Sequence, residues 1–410
     1  MRVYPAMKTL ALLLFTTVFA SALLPCQQPA TTDDDEDVLK AEKVDPFTDN
    51  DPELMKQAGI VRYGPFPWAD FVTTDDIETV LGKGRFLWIE TAHFRIGYSM
   101  KTQTLPAENE KRRFLRDEVK AVRESVPKFP ARVKKLGPWV QLHLYAWRLE
   151  RLYADVEQML GVTDADFGPG NLPPNGKFLG LGDKFLVLLF EKTSDLSRYF
   201  DRFCNYKTDV AMRWYHVKTH QLLAALAIED MEGFDATAVH SNVIYSVAHN
   251  LFSGYRGYHL ELPLWLGEGL AHYFAAGIPS DVVNVRVLDS EADPERKIGI
   301  WPVKVRKRAQ HEGVCFTFDQ MCAWEQFGEM GYHHHAQAWS RVDFLMKRDP
   351  EKVAFMLRKL KELPPVPSAM VPRATVEALT RKLLIELFEL DAAKFDSEWR
   401  EWVLKTYPKK

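Results

Sequence analysis

The sequence predicts an α+β fold, with a mixed β-sheet half followed by a mainly helical half. Short apolar runs bounded by turn residues, at 86–89, 94–98, 185–190 and 222–228, all precede residue 236 and have the pattern of buried strands. Segments with 3.6-residue apolar periodicity dominate the rest. A chain of 410 residues, 46% of them apolar, can bury a sizeable core as one large or two intimately packed domains.

Taken in order, Arg2 and Lys8 precede an apolar run at 10–24, and Ala20-Ser21-Ala22 offers a small-residue cleavage pattern, so residues 1–22 read as a secretory signal. The run is shorter than the ~20 residues a membrane span needs. The chain is therefore expected to be exported, to a periplasmic, cell-envelope or secreted location. Cys26, three residues after Leu23, offers lipid attachment as the one route to a membrane, although Pro25 fits that pattern poorly. Residues 23–60 read as an acidic tether around Asp33-Asp34-Asp35-Glu36-Asp37, with order beginning near Pro65-Phe66-Pro67-Trp68.

Residues 61–236 form the expected N-terminal α/β half, with helices at 109–124, 143–160 and 195–204 and an edge strand at 222–228. The Gly- and Pro-rich stretch 164–176 is a connection, since Gly168-Pro169-Gly170 lacks the Lys-Ser/Thr of a phosphate loop. Residues 237–363 form the helical half, in which 281–318 reads as irregular and charged. Helix 332–347 carries a core stripe of Ala336, Trp339, Val342 and Leu345, and a helix at 350–363 follows. Pro364-Pro365-Val366-Pro367 breaks the chain before a C-terminal helical tail, 364–410, with a helix at 375–390. Phe395, Trp399, Trp402 and Tyr407 in that tail read as packing onto the body.

With 53 basic against 56 acidic residues, a formal charge of -3, the chain has no global basic field, which excludes nucleic acid as the expected partner. Lys304, Arg306, Lys307 and Arg308 read as a solvated face. Cys204, Cys315 and Cys322 allow a Cys315 to Cys322 bridge or buried free thiols, and no C-x-x-C occurs.

The chemistry-bearing motif is Tyr245-Ser246-Val247-Ala248-His249, followed by Pro263, Trp265-Leu266-Gly267-Glu268-Gly269-Leu270-Ala271 and Tyr273-Phe274. In an intact H-E-x-x-H site, two histidines one helical turn apart bind zinc, the glutamate between them activates the metal-bound water, and a glutamate from a later helix completes the ligands. The chain resembles the gluzincin, or peptidase MA-like, metallopeptidases, over roughly residues 85–349, including Thr91-Ala92-His93-Phe94-Arg95-Ile96. The resemblance implies a thermolysin-like architecture with a cleft between the halves, and a strand at 222–228 that pairs with extended peptide. His249 and Glu268 stand at the second and third ligand positions. Tyr245 replaces the first histidine and Ser246 the catalytic glutamate, so no catalytic residue is expected.

The reading this favours is an exported, non-catalytic peptidase MA-like protein that binds a peptide or protein ligand in the cell envelope, with no required cofactor. Its expected cleft residues are Tyr245, Ser246, Trp265 and Tyr332. The alternative is a zinc metallohydrolase with a relocated site, since Glu268 and His272 are also i, i+4 and could join His249 as ligands, with His333-His334-His335 nearby in reserve. A purely structural envelope protein, with Tyr245 filling the zinc's space, is the third reading. His216 and His220 share the i, i+4 spacing but read as solvated, His240 as lying on the opposite helix face from His249, and His259 as an exposed loop residue.

Overall fold

The computed structural model describes residues 44–168, 176–231, 235–280 and 301–409. The expected signal segment, Cys26, the Asp33 to Asp37 block and parts of the 164–176 and 281–318 stretches lie outside the described residues. The chain enters through α1 (Pro52–Gln57), β1 (Arg62–Tyr63) and α2 (Thr74–Leu81), then makes the hairpin of β2 (Leu87–Glu90) and β3 (Phe94–Tyr98). A ribbon of β4 (Gln103–Thr104) and β5 (Lys135–Leu136) brackets α3 (Asn109–Ser125), and α4 (Pro138–Leu160) follows. β6 (Phe185–Phe190), α5 (Thr193–Tyr199), β7 (Met212–His216) and β8 (Gln221–Ala227) complete the N-terminal half.

Beyond β8 the regular elements among the described residues are helical: α6 (Ala236–Gly254), α7 (Leu264–Ala275), α8 (Trp301–Ala309) and α9 (Phe318–Cys322). Helices α10 (Tyr332–Arg348), α11 (Pro350–Lys361), α12 (Arg373–Phe388) and α13 (Ala392–Thr406) complete the chain. The fold is thus mixed α and β, with an N-terminal sheet and a helical C-terminal half. All described residues belong to one compact unit. Among them no helix is long and apolar enough to cross a membrane.

The main sheet has the order β1-β2-β3-β6-β8-β7, parallel across β3, β6 and β8 and antiparallel at both ends. Val187 sits between Ile96 and Ala224, so these three share one face with Leu222 and Leu226, over which α4 and α6 pack. Leu186, Leu188, Leu223 and Ala225 point the other way, into a second core with Ile77, Leu196 and Tyr199 of α2 and α5. Covered on both faces, β6 reads as the unbroken apolar run Phe-Leu-Val-Leu-Leu-Phe. Opposite Trp88, a Cβ on Gly97 would stand 2.3 Å from that indole, so glycine is what lets the ring cross β3.

Several expectations are corrected. Order begins well before Pro65: Asp45 is fully buried and α1 is capped by Asp51, so residues 44–60 belong to the packed body instead of the tether. The strand at 222–228 is β8, which lies inside the sheet; the edge strand on that side is β7, unrecognised in the sequence. Helix α4 starts at Pro138, because Gly137 is extended and proline suits the first helical turn. The helix expected at 195–204 ends at Tyr199 and continues as a π turn over Phe200–Cys204. Part of the 281–318 stretch is helical: α8 buries Trp301, Val305 and Ala309 along one face. Arg306 is no solvated charge, since it donates to the carbonyls of Leu404 and Tyr407 at the end of α13. Cys204, Cys315 and Cys322 are free thiols.

Candidate functional site

Helix α6 has no charged side chain in Ala-Thr-Ala-Val-His-Ser-Asn-Val-Ile-Tyr-Ser-Val-Ala-His-Asn-Leu-Phe-Ser-Gly, and it is accordingly buried along nearly its whole length. Asp235 caps it, accepting from the backbone N–H groups of Thr237 and Ala238 at 3.0 and 2.9 Å. One turn separates Tyr245 and His249, so both project toward α7 and both reach Glu268. The Tyr245 hydroxyl donates to Oε2 of Glu268 at 2.5 Å, and Nε2 of His249 lies 3.0 Å from Oε1.

On α7, Glu268 and His272 are one turn apart, facing α10. Gly269 allows that approach: a Cβ there would fall 2.5 Å from Cγ2 of Val342 and 2.6 Å from the Ala338 carbonyl oxygen. Through this contact α10 delivers His335, whose Nδ1 stands 3.3 Å from Oε2 of Glu268 and 3.1 Å from Nε2 of His272. The His272 ring stacks on Tyr245, with centroids 4.6 Å apart. Glu268, His272 and His335 are all buried, with ligand atoms within 4.8 Å of one another, a group that could hold a metal ion such as zinc.

The remaining contact comes from the sheet. Arg213 on β7 pairs with Ala224 and so lies on the face that α6 covers, while its neighbour Trp214 packs into the opposite core. Nη1 of Arg213 is 2.6 Å from Nδ1 of His249, and Oγ of Ser253 is 3.2 Å from the same nitrogen. A guanidinium only donates, so Nδ1 accepts. The single proton of the neutral ring is therefore on Nε2, and it is given to Oε1 of Glu268.

Ionisation follows the burial. Loss of water and the Arg213 charge both lower the His249 pKa, which keeps the ring neutral. Burial works to raise the pKa of Glu268, but hydrogen bonds from His249 and His335 outweigh it and hold the carboxyl well below its usual range. Burial and the Glu268 charge push the Tyr245 phenol far above its ordinary value, so it keeps its proton. Burial, then the His335 charge, depress His272 well below a normal histidine, leaving a neutral imidazole.

Other expected site residues sit elsewhere. Trp265 does not face a cleft: it is fully buried, its ring against Phe318 and Phe395. Tyr332 is also buried, edge-on to Trp301 and beneath the Lys304 ammonium. Ser246 is buried beside Tyr245. His216 is not solvated; it is buried at the end of β7 with Nδ1 3.0 Å from Asp70. His220 instead meets the Tyr215 hydroxyl at 2.7 Å. His240 does point away from His249, toward Glu118 and Tyr145. His259 is half-buried, with Nε2 3.0 Å from the Leu363 carbonyl oxygen.

The sequence reading missed one contributor, Arg213, and did not single out another, His335. His335 lay within a noted triple-histidine run, yet only the glycine-mediated helix contact singles it out from its neighbours. Arg213 carries no signal beyond the alternation of Met212 to His216. No family model matches the chain, and no curated protein matches it.

Proposed function

We propose that the chain is a non-catalytic relative of the gluzincin, or peptidase MA-like, metallopeptidases that works outside the cytoplasm as a peptide- or protein-binding module. The observation that carries this reading is the contact of Arg213 with His249. A zinc-binding histidine offers one nitrogen's lone pair to the metal and donates its other N–H to a carbonyl or carboxylate. Here a donor-only guanidinium occupies the outer nitrogen, so the inner one is an N–H aimed at Glu268. Tyr245, at the first ligand position, keeps its proton and donates to the same carboxylate. With Ser246 in place of the base, the family's zinc does not fit the family's positions in this chain.

Peptide engagement needs none of that chemistry. Among the described residues, β7 ends the sheet with no strand on its outer side, and its backbone borders the site through Arg213. An extended segment adding there would gain ladder hydrogen bonds irrespective of any metal. The test is incubation of the purified chain with a peptide library and zinc, with and without chelator. No chelator-sensitive cleavage is expected. Cleavage that needs zinc and disappears in His249→Ala would overturn the reading.

A further inference from the structure

We infer that Glu268, His272 and His335 form a zinc site that clamps α7 to α10, keeping Glu268 of the degenerate motif but not His249, with the fourth position left to solvent. This goes beyond the non-catalytic binding reading, and neither depends on the other.

Three features of the geometry lead to it. The donors are two imidazoles and a carboxylate, a set zinc takes readily. Two of the three spacings match one central ion: ligands about 2.0–2.1 Å from a tetrahedral zinc stand roughly 3.3 Å apart, and here Nδ1 of His335 is 3.3 Å from Oε2 of Glu268 and 3.1 Å from Nε2 of His272, with the third pair, His272 and Glu268, within 4.8 Å. The third feature is a deficit in the protein's own bonding. Nε2 of His272 and Nδ1 of His335 face each other, so at most one proton lies between them, and in either tautomer two lone pairs converge on the space shared with Oε2 of Glu268. Groups so placed in a dry interior cost stability unless something satisfies them together. An ion at their centre accepts one lone pair from each.

The same reasoning leaves His249 out. Its inner nitrogen bears a proton donated to Oε1 of Glu268, and that bond supports the carboxylate from outside the ligand set, as a neighbouring group does around a metal centre. Two ligands come from α7 and one from α10, so the ion ties together the two helices that Gly269 brings close. Its role is mechanical, because Ser246 supplies no base for a metal-bound water.

The experiment is elemental analysis of the full chain, loaded with zinc and then dialysed without chelator, alongside His249→Ala, His272→Gln and His335→Gln, with thermal unfolding of each. About one zinc per chain is expected in the wild type, the same or somewhat less in His249→Ala, which removes only a supporting hydrogen bond, and little in the two glutamine variants. Chelator should lower the wild-type Tm and leave that of His335→Gln unchanged. A wild type that holds no zinc overturns the site, as does zinc lost in His249→Ala but kept in His335→Gln. If the glutamine variants do not fold, the wild type decides alone: zinc removed with no fall in Tm overturns the clamp. Absence of zinc leaves the non-catalytic reading standing, whereas zinc-dependent peptide cleavage would remove that reading and leave the ligand assignment intact.

Discussion

Two glycines flank Glu268, and the space around each gives opposite expectations for the same substitution. A Cβ on Gly267 would lie 3.5 Å from Nε2 of His249, an ordinary contact, whereas one on Gly269 would press against the Ala338 carbonyl oxygen at 2.6 Å. Replacing glycine by alanine inside a helix gains up to about 1 kcal/mol where there is room. Overpacking a helix contact costs about 1–3 kcal/mol or more. Gly267→Ala should therefore be neutral or stabilising and Gly269→Ala destabilising, as read from urea unfolding of the two variants. An equal loss in both would mean that the α7 to α10 approach does not depend on Gly269. At this scale the sequence was half legible. His249 and Glu268 announce themselves because one helical turn and a tight motif fix them, but Arg213 reaches His249 from 36 residues away through strand register. No local pattern encodes the proton position that this contact sets.

Elements were legible where a single force shaped them. The unbroken apolar run of β6 and the charged, periodic α3 fall where expected, because burial on two faces and on one face leave different periodicities. β7 escaped because its residues divide between two cores and the site, and α8 because its buried Trp301, Val305 and Ala309 are interleaved with four basic residues. The turn between β2 and β3 shows how polar groups join elements. His93 there offers Nδ1 to Glu150 of α4 at 2.6 Å and Nε2 to Asp164 at 3.0 Å, with its ring stacked on Tyr153. Burial acts to lower its pKa, but the bonds and charges of Glu150 and Asp164 prevail and raise it above 6.5. A histidine pKa raised by folding adds stability that is complete below the unfolded value and is lost as pH rises through the folded value. Stability should fall above pH 6.5 in the wild type relative to His93→Gln. Denaturant midpoints across that pH range test it, and parallel profiles would exclude His93 as the cause.

At the scale of the whole molecule, what the sequence concealed most was where the folded body starts. An acidic, polar stretch reads as tether because composition averages over it, yet one aspartate within it can be as buried as any core residue. Asp45 accepts from the Thr48 hydroxyl at 2.7 Å, the Phe47 N–H at 2.9 Å, Nε2 of His143 at 2.8 Å and the Tyr63 hydroxyl, so it joins the entering chain to β1 and to the second turn of α4. Burial acts to raise its pKa, and the His143 contact and the other bonds bring it below 3.8. Its contribution is therefore complete above the unfolded carboxyl range and lost only as pH falls through that lowered value. Asp45→Ala would leave the imidazole and two hydroxyls buried with a lost partner, at a cost of about 3–5 kcal/mol near neutrality. Asp51→Ala, a few residues on, removes an exposed helix cap worth only ~1 kcal/mol. Denaturant unfolding of the two variants side by side separates the readings. A large loss at Asp45 with a small one at Asp51 places the start of the cooperative unit at residue 45, whereas two equally small losses would return residues 44–50 to the tether.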